Sequence, residues 1–172
     1  MAASAVVFLG QPLLQSYCLP FSAPKAALLR SFGAQISAQV AIKPGARVKF
    51  PWRLSVGDFS WIGERAWLDN LAPIAIESHV SVSQEAYLCT GNHDWQDPTF
   101  RLITASVRVE SGSWIAARAV VGPGVTVGRE AVLALGSVAP RSLEPMTIYA
   151  GNPAQPIKAR AIASDAEGNA PE

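Results

Sequence analysis

Histidine is almost missing from this chain: His79 and His93 are the only two. A zinc site built from three histidines is therefore poorly supported, and neither HExxH nor CxxC occurs. The two cysteines, Cys18 and Cys89, do not make a disulfide framework. Charge is scarce, at 16% of residues, and balanced to +1. That leaves no basic field for nucleic acid and no polybasic patch for a membrane. Gly122-Pro123-Gly124 has no helix after it, so it is a turn rather than a phosphate loop. No serine sits in a nucleophile elbow. The apolar stretch from Ala2 to Leu14 is broken by Gln11 and Pro12 and has no basic start. It is too short to span a bilayer and does not read as a signal peptide, so a cytoplasmic protein without a transmembrane segment is expected.

What the chain has is a six-residue beat. Ile36, Ile42 and Val48 set it; Val56, Ile62, Leu68 and Ile76, Val82, Leu88 repeat it. Val109, Ile115, Val121, Val127, Leu133 and Ala139 carry it on. The next position is usually small (Gly57, Gly63, Ser83, Ala116, Gly122, Gly128), and the fourth after is small or Val (Ser60, Ala66, Val80, Ala86, Ala119, Ala131). On an α-helix, residues six apart drift around the axis by about 120° each time, so no single face would be apolar. The pattern fits an all-β chain in which three hexapeptides make one triangular coil of a parallel β-helix, aliphatics inward. About five coils are expected. With 49% hydrophobic residues the prism can bury a core, and the low charge suggests that other subunits cover part of its surface.

The breaks in the beat are informative. Two extra residues follow Val48, two follow Leu68 and fifteen follow Leu88. All three insertions come after the third hexapeptide of a coil, so they should leave one corner and stack along one edge. Residues 1–35 are expected to be an irregular arm followed by a short capping helix from Pro24 to Phe32, stopped by Gly33. Residues 36–145 form the β-helix with a long loop at 90–106. Residues 146–172 leave the prism as an extension, disordered over 161–172.

Function concentrates in such breaks. The long loop contains Thr90-Gly91-Asn92-His93-Asp94-Trp95, which makes His93 the candidate proton acceptor near neutral pH. His79 sits inside a coil and reads as a surface histidine. Cys89 occupies a small-residue slot and reads as a buried thiol. Asp69 and Asn70 lie in the preceding insertion; they either hydrogen-bond a polyhydroxylated acceptor or cap an Asx turn. Trp114 either flanks a ligand or packs at a subunit interface. Arg141, Lys158 and Arg160 suit a phosphorylated ligand, or are ordinary surface cations.

The hexapeptide code, together with GNHDW, GSWIAARAVVGPGVTVG and YAGNPAQPIK, resembles the hexapeptide-repeat O-acetyltransferases, in particular the colanic-acid-type exopolysaccharide branch. The likeness covers roughly residues 28–160. It implies a left-handed winding, a homotrimer with active sites between subunits, acetyl-CoA as co-substrate, a saccharide acceptor and no metal. It places the catalytic histidine on His93 and acceptor binding on Asn70, with Asp69 adjacent. Coenzyme contacts fall on Trp114, Ala117, Leu135, Arg141 and Lys158, with Arg160 close by, and the oxyanion donor on the Ala117 N–H. A coenzyme-binding arginine of the relatives falls on Gln155, a departure that Arg160 would offset. Two other readings stay open: a non-catalytic trimeric scaffold or binding module, and a zinc enzyme of the same fold.

Overall fold

The computed structural model describes residues 10–18 and 20–162. Its strands are mostly two or three residues long, too short to stand alone. They gain stability by stacking into three parallel faces. The first face runs Gln35–Ile36, Leu54–Val56, Ile74–Ile76, Val107–Val109, Thr126–Val127. The second runs Ala41–Ile42, Trp61–Ile62, Ser81–Val82, Trp114–Ile115, Val132–Leu133, Thr147–Gly151. The third runs Arg47–Val48, Trp67–Asp69, Tyr87–Cys89, Val120–Val121, Val138–Ala139. Each aliphatic of the beat stands over its counterpart, as in Ile36↔Val56, Val56↔Ile76, Ile76↔Val109 and Val109↔Val127. The insertions leave this register intact, and the aliphatics are buried along the whole axis.

The small positions have distinct causes. A Cβ on Gly63 would meet the Ser83 carbonyl carbon at 2.4 Å, and one on Gly57 the Ser78 nitrogen at 2.6 Å. Adjacent coils touch backbone to backbone there. A third regularity escaped the sequence reading. The residue three after each aliphatic is left-handed at most corners, as at Phe59, Arg65, His79, Glu85, Arg118 and Glu130, with φ between 55° and 60°. Gly45, Gly112, Gly124 and Gly136 hold the same position. The side chain varies because the position faces outward, so hydrophobicity does not mark it.

The end cap is a helix at Ser22–Ser31, close to the expected bounds, with Gly33 (φ +88°) as its stop. Ala26 and Leu29 close the prism against Ile36 and Ile42. Three expectations are corrected. Residues 10–15 are helical rather than irregular, because Leu14 is buried in the same core. The long loop is a hairpin, with Gly91–His93 antiparallel to Leu102–Thr104. The segment after Pro140 does not leave the prism at once: Leu143 bridges to Val127 and Tyr149 pairs with Leu133, both buried, which gives about six turns. Leu143 follows Ala139 by four residues instead of six, so a shortened corner hides the beat, which Tyr149 then resumes. Ala154–Ala159 returns antiparallel along Thr147–Gly151. The expected disordered tail lies, from 163 onward, outside the described residues. Among the described residues no helix is long and apolar enough to cross a membrane.

Candidate active site

The corner between the third and first faces carries all three insertions, stacked as the spacing requires. Asn70 fixes the lower two. Its Oδ1 accepts the Lys49 and Phe50 N–H groups at 3.1 and 2.9 Å, and its Nδ2 donates to the Phe50 carbonyl at 2.7 Å. Thr90 fixes the upper two: its hydroxyl donates to the Asp69 carbonyl and accepts the Ala72 N–H, both at 2.9 Å. Gly91 then passes so close to Leu71 that a Cβ would meet the Leu71 Cδ1 at 2.5 Å.

This overturns the acceptor-binding reading of Asn70. Its side chain has 0% exposure and every polar atom engaged within the chain. Asn70→Ala should leave the Phe50 N–H unpaired and strip one of two partners from the Lys49 N–H, which also reaches the Leu68 carbonyl, and from the Phe50 carbonyl, which also accepts the Arg53 N–H. It should lower stability by about 2 kcal/mol. Urea unfolding checks this; unchanged stability with a raised acceptor KM would restore the binding role. Asp69 is also buried, but only one of its two oxygens is hydrogen-bonded. Its Oδ2 accepts the Tyr87 hydroxyl at 3.0 Å and its Oδ1 pairs with Lys49 Nζ at 3.1 Å. Burial, then hydrogen bonding to Cys89 and Asp69, pushes the Tyr87 hydroxyl above its usual range, so it stays a neutral donor. Cys89 is half-buried, its thiol donating to the Gly91 carbonyl at 3.0 Å, and His79 is exposed and stacked on Phe59.

The hairpin above this stack presents His93. Its tip is tied by the Asp94 N–H donating to Arg101 O at 2.9 Å, the Arg101–Asp94 ion pair at 3.1 Å, and Asp97 accepting from Thr99. Those Thr99 bonds hold the Asp97 carboxyl below the usual range. His93 Nδ1 lies 2.5 Å from the Phe100 carbonyl oxygen. A carbonyl only accepts, so Nδ1 carries the hydrogen and Nε2 keeps a free lone pair. The ring is exposed, with Nε2 available as a base. The hairpin roofs a cavity of about 480 Å³ lined by Asn92, Ile103, Thr104, Gly122, Pro123 and Pro140. Asn92 was not among the sequence candidates. Its Oδ1 accepts the His93 N–H at 2.8 Å.

A second groove, of about 640 Å³, lies at the edge of the second face and the corner that follows it. Trp114, Ala117, Leu135 and Arg160 line it, beside Ser83 and Gln84. Trp114 Nε1 donates to Ser83 Oγ at 2.9 Å, which fixes the indole. Leu135 is 74% exposed. The Ala117 carbonyl accepts the Gly136 N–H at 2.9 Å, while its own N–H has no partner among the described residues. Arg160 is bound inward, donating to Gly112 O and Glu130 O and pairing with Glu130 at 3.2 Å. That use explains its partial burial and corrects the expectation that it offsets Gln155 at a phosphate. Lys158 is exposed opposite Ile148, which also lines the groove. Arg141 is elsewhere, in a cleft of about 230 Å³ with Ser142, Tyr149 and Gln155. The structure thus gathers four of the six coenzyme candidates. It keeps His93 and Arg141 at another corner, across the third face.

No family model matches the chain. A protein carrying the name colanic acid biosynthesis acetyltransferase WcaF, from Escherichia coli K12, is 38% identical over 136 residues, 79% of this chain and 75% of the relative. A hexapeptide-repeat acetyltransferase from Vibrio cholerae, solved with acetyl coenzyme A, superposes with a TM-score of 0.80 at 23% identity, over 94% of this chain and 88% of that one. A galactoside acetyltransferase solved with coenzyme A gives a TM-score of 0.76 at 15% identity, over 98% and 87%. These structural likenesses are of fold.

Proposed function

Because this chain belongs to the hexapeptide-repeat acetyltransferases, in the colanic-acid type, we propose that it transfers acetyl from acetyl-CoA to a saccharide hydroxyl. The observation that carries the reading is His93: an exposed imidazole whose Nδ1 is committed to Phe100 and whose Nε2 is free. The bound coenzyme complexes of the fold neighbours support acetyl-CoA as donor. A cytoplasmic location, where acetyl-CoA is at hand, fits this reading.

The active site forms between copies of the chain. In one chain His93 and the Ala117 groove sit at different corners, with the third face between them. Both carry apolar surface that needs cover: Trp95 is 78% exposed, and Phe100, Leu102, Ile103, Trp114 and Leu135 are exposed too. A closed ring in which each hairpin lies across the next copy's groove covers both at once. A homotrimer satisfies this.

The chemistry is a direct transfer. Nε2 of His93 takes the proton of the acceptor hydroxyl as its oxygen attacks the thioester carbonyl. The unpartnered Ala117 N–H of the neighbouring copy receives the oxyanion. The carbon–sulfur bond breaks, and the sulfur leaves with the proton that His93 took. The products are an O-acetyl ester and free coenzyme A. Holding both substrates in one cleft supplies the remaining acceleration. The test is a thiol-release assay with acetyl-CoA against sugars, sugar nucleotides and lipid-linked saccharides. Release that depends on one saccharide class, with an alkali-labile ester as product, is expected. No release with any acceptor, in a protein that also fails to bind acetyl-CoA, would contradict the reading.

A further inference from the structure

The net charge of +1 conceals a polarity along the prism axis. The first 57 residues contain six cations, Lys25, Arg30, Lys43, Arg47, Lys49 and Arg53, and no acid. The other eight of the 14 cations lie between residues 58 and 162 with ten of the 13 acids, a balance of −2; the other three acids lie outside the described residues. Coils stack in sequence order, so this becomes a separation in space: a cationic end, to which all but the buried Lys25 contribute surface charge, and a slightly acidic body. Near-zero net charge, taken alone, excludes a basic membrane patch. The fold overturns that exclusion by gathering the cations into the cap and first coil.

Arg30, Arg47 and Arg53 are exposed and held in place, whereas Lys49, also exposed, is paired with Asp69. Arg47 stacks on Trp67 at 4.2 Å, Arg53 donates to the Leu71 carbonyl, and Arg30 donates to the Ile36 and Ser37 carbonyls, each at 2.7 Å. The same end exposes Leu13, Tyr17, Phe21 and Trp52. Phe21 is the clearest case: 71% exposed, it stands at the N-cap of the Ser22–Ser31 helix and makes no capping bond.

Large apolar side chains set among fixed cations have the chemistry of an interfacial anchor. The apolar groups enter the boundary between headgroups and acyl chains, and the cations meet anionic headgroups. A soluble polyanion would engage the cations and leave the apolar groups without a role. We propose that the N-terminal end of the prism docks onto an anionic lipid surface. Attachment is peripheral and reversible, since no described helix can cross a bilayer. Docked this way, the His93 hairpin leaves the third coil, two rungs and about 10 Å beyond the first. The docking stands on charge and exposure and does not depend on the reaction proposed above.

The test is co-sedimentation of the full chain with vesicles of phosphatidylcholine alone, or with about 30% phosphatidylglycerol, alongside a heparin column. The chain is expected to sediment with the anionic vesicles, not with the neutral ones, and to be weakened by raised salt. Arg47→Gln with Arg53→Gln should weaken partition roughly thirty-fold. Phe21→Ser, which supplies a better N-cap, should weaken it roughly tenfold with an unreduced melting temperature. Equal partition to both vesicles, sedimentation with neither, or variants that bind like the parent would overturn the proposal. So would retention on heparin without vesicle binding, which would assign this end to a soluble polyanion.

Discussion

Replacing His93 with Ala is expected to lower the acetyl-transfer rate by about 10²- to 10⁴-fold while leaving the fold unchanged. The expectation rests on what the ring touches. It is exposed, lies outside the core, and makes one hydrogen bond, from Nδ1 to the Phe100 carbonyl. Removing it takes away the free Nε2 and little else. The measurement is kcat from thiol release at saturating acetyl-CoA, with coenzyme affinity and melting temperature as controls. A loss in kcat alone is the signature of a group acting in the transition state. Equal kcat in the variant would remove His93 as the base.

Ala117→Pro should lower kcat by about 10²- to 10³-fold, the usual effect of removing one oxyanion donor. Proline deletes the N–H and fixes φ near −65°. The repeat itself indicates that the shape is tolerated. Pro44 follows Ile42 by two residues, and Pro123 follows Val121 by two, the same offset as Ala117 from Ile115. The Ala117 N–H has no partner among the described residues, so its loss breaks no bond in the prism. Ala117→Gly keeps the N–H and should keep most of the rate. A proline variant as fast as the parent would mean that the oxyanion is held elsewhere.

The prism was legible because its signal is redundant: each buried aliphatic repeats six residues on, and the structure stacks them column by column. The common corner of the insertions was legible by counting alone. Asn70 was not. Its spacing to Phe50 and Thr90 gave its place at the corner, but spacing does not say whether an amide faces solvent or clamps the coil beneath. The left-handed corner residues were missed because they face outward and tolerate Arg, Glu, Phe or His. The sixth turn was missed because its corner is two residues short. Arg160 was read as a free cation, although only the fold shows its guanidinium bound to Gly112 and Glu130. The charge polarity was in the sequence throughout, but it became a surface only once the coils were stacked in order.

If His93 of one chain works with Ala117 of another, mixed assemblies will reveal it. His93→Ala and Ala117→Pro chains are each inactive by this account. Co-assembled in equal amounts, a chain with an intact His93 can meet a neighbour with an intact Ala117. Random assortment in a ring restores about one quarter of the sites. Recovery of about that fraction of parental acetyl transfer is the predicted result. A mixture as inactive as either parent, in a protein whose unsubstituted form is active and oligomeric, would place both groups in a single chain and contradict the account.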